Sequence, residues 1–164
     1  FFLQETLERR DVITGLLLTP WPIATMIIAP LAGRLVERIH AGILGGIGMT
    51  IFATGLFLLA ILPSNPTNMD IIWRLFICGS GFGLFQTPNN STIISSAPSN
   101  RSGGASGMLG TARLLGQTLG ATQVAMIFYL VPINSSQTCL YLATGFAAVA
   151  AIVSCLRISQ PHPL

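Results

Sequence analysis

A chain of 164 residues that is 51% hydrophobic and only 8% charged cannot clothe a globular surface in water, where about 25% charged residues is usual. Its formal charge of +3 is small and scattered, and all eight basic residues are Arg, which excludes the dense basic face of a nucleic-acid binder. The mean hydropathy of +0.71 points to helices immersed in a bilayer.

In chain order, residues 1–15 carry Glu5, Glu8, Arg9, Arg10 and Asp11, too many charges to span, and read as an external connecting loop. The opening Phe1-Phe2 has neither an initiator Met nor a basic region before a cleavage site, so the chain is expected to begin inside a longer protein. A first span is predicted over 16–35, about 20 residues and so about 30 Å of helix. Pro20, Pro22 and Pro30 lie within it, and a kink is expected near Pro20-Trp21-Pro22. Trp21 is read as an interfacial anchor or, as the second choice, as a wall of a cavity.

Gly33, Arg34, Glu37 and Arg38 then form a charged turn. Arginines there suit the negative end of the first helix, and Glu37 suits the positive start of the next. The turn reads either as a topology anchor or as a gating latch between two helices. A second span is predicted over 41–62; it opens with Gly42, Gly45, Gly46 and Gly48, which allow close helix approach. Pro63 to Asn68 contains two prolines and stops it.

Two glycine-lined helices follow, over 71–95 and 103–131. On the first, Gly79, Gly83, Gln86 and Asn90 fall on one face at 3.6 residues per turn. On the second, Gly110, Arg113, Gln117 and Gly120 do the same, with Gly116 beside them. A narrow stripe of glycine and polar groups on an otherwise apolar helix suits a face turned to a cavity rather than to lipid. Arg113 lies about 15 Å along its helix, where even low figures put an Arg facing lipid at about 2.5 to 3.5 kcal/mol. Gln86, Asn89, Asn90 and Gln117 read either as interhelical glue or as contacts to substrate or water. Pro88 is expected to free a carbonyl beside them. The last span is predicted over 137–156, before Arg157 and a polar tail over 158–164.

The fold class is therefore all-α, a polytopic membrane bundle of about five spans over 16–157. Arg34, Arg38, Arg101 and Arg157 fall on one side and Arg74 on the other, setting aside the N-terminal segment. The positive-inside rule then puts the C-terminus in the cytoplasm. Cys78, Cys139 and Cys155 sit in apolar runs without metal-binding or disulfide spacing, and no glycine set follows a strand as a phosphate cradle does. No nucleophile, base or metal set converges, so neither an enzyme, a metal nor a cofactor is expected.

Four segments carry a more specific likeness. They are Thr14 to Pro22, Ala29 to Arg38, Gly81 to Asn90 (GFGLFQTPNN) and Arg101 to Gln117 (RSGGASGMLGTARLLGQ). Together they resemble the major facilitator superfamily, and within it the fourteen-helix drug:proton antiporters of the EmrB/QacA type. The resemblance implies the last five of fourteen helices, most of the C-terminal bundle, of a bacterial inner-membrane exporter. It implies alternating access, with a small amphipathic or cationic substrate, a proton and the missing N-terminal helices as partners. Gly33, Glu37 and Arg38 resemble the first half of the superfamily's cytoplasmic loop motif, whose second half is replaced here by His40-Ala41-Gly42. No acid lies inside the predicted spans, so proton coupling is expected on the absent helices. A freestanding five-helix protein serving as a structural or regulatory partner is the alternative reading.

Overall fold

The computed structural model describes residues 11–63, 66–98, 101–131 and 133–156, with side chains from residue 15 onward. Six helices follow in order: α1 (Asp11–Leu18), α2 (Pro20–Leu35), α3 (Ala41–Ala60), α4 (Asn68–Ser95), α5 (Ser102–Leu130) and α6 (Ser135–Leu156). The first predicted span is thus two helices with a break at Thr19. Pro20 and Pro22 bring no N–H, which orphans the carbonyls of Leu16 and Leu18. The chain tightens in response: the Thr19 N–H donates to the Leu16 carbonyl at 3.2 Å, and the Thr19 hydroxyl to that of Gly15 at 3.0 Å. Pro30 and Pro88, by contrast, sit within α2 and α4 without ending them.

The expected loop over 1–15 needs correction where it can be compared. Residues 11–15 are the first turns of α1; Asp11 at the start suits the helix dipole, and the residues after it are mostly apolar. Residues 1–10 and the tail lie outside the described residues.

Among the described residues, three stretches are long and apolar enough to cross a membrane by length and composition: Gly15–Leu35, Ala41–Ala60 and Ser135–Leu156. Helices α4 and α5 are longer, at 28 and 29 residues, or about 42 Å each. Their polar stripes, not their length, set them apart from the other three. Helix α4 begins at a turn where the Thr67 N–H donates to the Asp70 carboxylate at 3.2 Å, the acidic half of a capping box.

The helices pack in a row, α2 beside α4, α4 beside α3 and α3 beside α6. Glycine makes each seam possible. At Gly48 of α3 an added Cβ would stand 2.6 Å from the Phe85 backbone nitrogen of α4, and at Gly55 it would stand 2.6 Å from Cys78 Sγ. The same construction at Gly45 meets Ser154 Oγ of α6 at 2.7 Å, and the Ser154 hydroxyl donates to the Gly42 carbonyl at 3.1 Å. One buried cluster joins Met49, Ala53, Leu56, Cys78, Ala147 and Ala151 from three helices. A second joins Leu17, Leu62, Ile71 and Leu75 at the other end of α4.

Trp21 does not behave as an interfacial anchor. Its ring sits edge-on to Phe52 of α3 at 5.6 Å and 6.0 Å from Phe82 of α4, with Phe52 and Phe82 5.9 Å apart. The break before Pro20 turns this indole into the bundle, where three aromatic rings tie α2, α3 and α4 together.

Candidate functional site

The polar stripe of α4 lies along α2. A Cβ on Gly79 would run into the Trp21 carbonyl and Ala24, and one on Gly83 would meet Thr25 at 3.3 Å. The Thr25 hydroxyl bridges this seam, shared between the carbonyls of Trp21 at 3.0 Å and Gly79 of α4 at 3.1 Å. Farther along, Gln86, Asn89 and Asn90 are half-buried, around a fully buried Pro88. The Pro88 carbonyl accepts the Thr92 hydroxyl at 2.8 Å, and α4 passes through the proline unbroken.

The stripe of α5 is open. Arg113 and Gln117 are exposed, and no residue of α5 is buried. Gly110, Gly116 and Gly120, read as helix-packing residues, meet nothing within 4 Å of an added Cβ, so they do not pack against this chain's own helices. The physical reason is that α5 touches α4 and α6 only lightly and stands off from the row. The fold therefore brings Gln86, Asn89 and Asn90 together on α4 and leaves Arg113 and Gln117 on a separate helix face.

Standing off, α5 leaves a cavity of about 720 Å³ against α3 and α6. Its walls include Phe52 and Leu56 of α3, Gly120, Gln123, Val124 and Ile127 of α5, and Leu142 and Phe146 of α6. Gln123 is the one amide; every other wall residue except Cys139 is apolar or glycine. Pockets of this size and character hold drug-sized molecules, with few polar groups to orient them. Sequence reading did not find it, because its walls come from three segments far apart in the chain.

The turn between α2 and α3 exposes Arg34, Glu37 and Arg38, which with Leu35 line an open recess of about 580 Å³. Gly33, half-buried, sits one turn earlier, its would-be Cβ 4.0 Å from Thr87 of α4. The turn is built on the last carbonyls of α2, with the Arg38 and Ile39 N–H groups donating to the Leu35 carbonyl at 3.0 and 2.8 Å. Arg101 stands at the start of α5 on the same end of the row. At the opposite end, Arg74 of α4 does structural work that its sequence position alone did not reveal. Its Nη1 donates to the Leu58 carbonyl in the last turn of α3 at 2.7 Å, and its guanidinium lies 5.1 Å from the Trp73 ring centroid.

A row of helices seamed by glycine, with three stretches among the described residues long and apolar enough to cross a membrane, fits a membrane helix bundle. The Major Facilitator Superfamily model matches residues 1–121, and the chain belongs to that family. It is 59% identical over 162 residues to the "Uncharacterized transporter YebQ" of Escherichia coli (strain K12), covering 99% of this chain and 35% of that protein. It is 34% identical over 119 residues to the "Multidrug resistance protein Stp" of Mycobacterium tuberculosis, covering 73% of this chain and 22% of that one. It is 28% identical over 128 residues to the "Riboflavin transporter RibZ" of Clostridioides difficile, covering 78% of this chain and 28% of that one. The chain thus spans about a third or less of the length of these relatives. No solved structure matches. Family and relatives together make this a piece of a membrane transporter and not of an enzyme.

Proposed function

We propose that this chain is the C-terminal part of a proton-coupled multidrug exporter working by alternating access in the bacterial inner membrane. The observation that carries the reading is Arg113: an exposed guanidinium about 15 Å along a helix whose Gly110 and Gly116 meet none of the described helices. Such a face is stable only against protein or a wet cavity. The missing N-terminal helices supply the other wall, and Gly110 and Gly116 give them room to approach, while Gly120 opens onto the cavity against α3 and α6. Gln86, Asn89 and Asn90 on α4 complete this chain's share of the central cavity, with Gln117 beside Arg113.

The multidrug reading draws support from Stp, by its printed name, and from the resemblance of the four quoted segments. Proton coupling falls to the absent helices, since the acids among the described residues, at positions 11, 37 and 70, all lie at or outside helix ends. Arg34, Glu37 and Arg38 act as the gating turn on the cytoplasmic face, and the C-terminus lies on that side too. That side carries three of the four arginines at the described helix ends, Arg34, Arg38 and Arg101 against Arg74. The experiment is Arg113→Ala in the full-length protein. Efflux is lost while the amount of protein in the membrane is unchanged; unchanged efflux removes Arg113 from the site.

A further inference from the structure

The resemblance leaves amphipathic and cationic cargo open, but the charge carried by this chain does not favour both. Arg113 is the only charged residue within α5, and the spans on either side of it, α4 and α6, hold no acid beyond Asp70 in the first turn of α4. A cationic substrate would meet a like charge here, at a depth where screening by water is weak.

The second observation is geometric. Arg113, Gln117 and Gly120 share one face of α5, and Gly120 is also a wall of the 720 Å³ cavity. The polar stripe therefore runs directly into the apolar pocket. From Arg113 to Gly120 is seven residues, or about 10 Å of helix rise. Gln123, one turn farther on, is the pocket's single amide. An apolar body seated among Phe52, Leu56, Val124, Ile127, Leu142 and Phe146 thus has a guanidinium within about one molecular length along the same helix.

We infer that the cavity between α3, α5 and α6 is the apolar subsite for an amphipathic organic anion, whose acidic head pairs with Arg113. This rests on the exporter reading for its role in transport, but not for its chemistry. Arg supplies a planar fork of donors matched to a carboxylate, and Gln117 adds an amide on the same face.

The test uses the purified full-length transporter in nanodiscs and in proteoliposomes with an imposed proton gradient. Three radiolabelled probes share one ring system: naphthylacetate, naphthylacetamide and naphthylmethyl-trimethylammonium. The carboxylate binds tightest, and Arg113→Gln weakens it roughly ten- to a hundredfold while leaving the amide little changed. Val124→Trp, which fills the pocket, abolishes carboxylate binding. Val149→Trp, on the exposed side of α6 and outside the pocket, leaves it intact. Preference for the ammonium probe overturns the inference. So does equal binding of all three that is lost in Val124→Trp and indifferent to Arg113→Gln, the behaviour of a pocket that accepts any apolar body, including a lipid chain. Ethidium efflux separates the two readings: gradient-driven efflux without carboxylate binding sinks the anion site and spares the exporter. Carboxylate binding with no gradient-driven movement of any probe or dye does the reverse.

Discussion

The close backbone approach between α3 and α4 makes Gly48→Ala a sharp test of the packing. An added methyl would stand 2.6 Å from the Phe85 nitrogen and 2.8 Å from the Gly81 carbonyl oxygen. Both are backbone atoms of a packed helix, so no side chain can swing aside. Reaching ordinary contact at 3.4 Å requires α3 and α4 to part by 3.4 minus 2.6, or 0.8 Å. A gap of about that size forfeits a quarter to a half of each dispersion contact along the seam. The seam includes Gly55 against Cys78 and Phe52 against Gly81, so the expected cost is about 3 kcal/mol, the upper end for overpacking. Gly145→Ala is the control, because its added methyl meets nothing within 4 Å. It should be neutral or stabilise by about 0.5 to 1 kcal/mol through helix propensity. The assay is thermal melting of the detergent-solubilised, full-length protein, followed by the surviving monodisperse peak on size exclusion. Equal melting temperatures for Gly48→Ala and the parent, or equal damage from Gly145→Ala, would refute this account of the seam.

Arg74→Ala removes the donor that caps the Leu58 carbonyl at 2.7 Å and should cost about 1.5 to 3 kcal/mol in the same melt. Arg74→Lys should recover part of that loss, keeping the charge without the planar guanidinium that stacks on Trp73. Thr25→Val keeps the shape of the α2–α4 seam but loses the bond to the Gly79 carbonyl; melting should fall by the equivalent of about 0.6 to 1.7 kcal/mol, with efflux retained. Arg113→Ala should show the opposite pattern, with efflux lost and melting near that of the parent, because the side chain is exposed and no residue of its helix is buried.

The parts of the fold that sequence made legible are those fixed by local chemistry. Two prolines two residues apart predict a break, and the break is at Thr19. The spacing of Gly42, Gly45, Gly46 and Gly48 predicts a close seam, and α3 has seams on both α4 and α6. What stayed hidden depends on distant partners. The direction of Trp21 follows from how far α1 and α2 turn at the break, which two rings on other helices complete. The 720 Å³ cavity needs α3, α5 and α6 at once, and no single helix carries its pattern. Residues 11–15 are helical although the N-terminal segment as a whole is dense in charge, because the acid at position 11 sits where a helix start tolerates it.

The glycines carry the argument one step further, because one residue type at similar spacing meets two fates. On α4, Gly79, Gly81 and Gly83 all lie against the backbones of α2 or α3. On α5, Gly103, Gly104, Gly107, Gly110, Gly116 and Gly120 all have open space around an added Cβ. Helical glycine costs about 0.8 to 1 kcal/mol relative to alanine, so six of them in one helix are a standing penalty of about 5 to 6 kcal/mol. On α4 that penalty is offset by close packing within this chain; on α5 nothing among the described residues offsets it. Lipid cannot do so either, since it gives an exposed Arg113 no partner. The face of α5 therefore calls for a partner beyond the described residues. This chain spans 35% of its relative YebQ, and we propose that the remaining helices of such a transporter provide it.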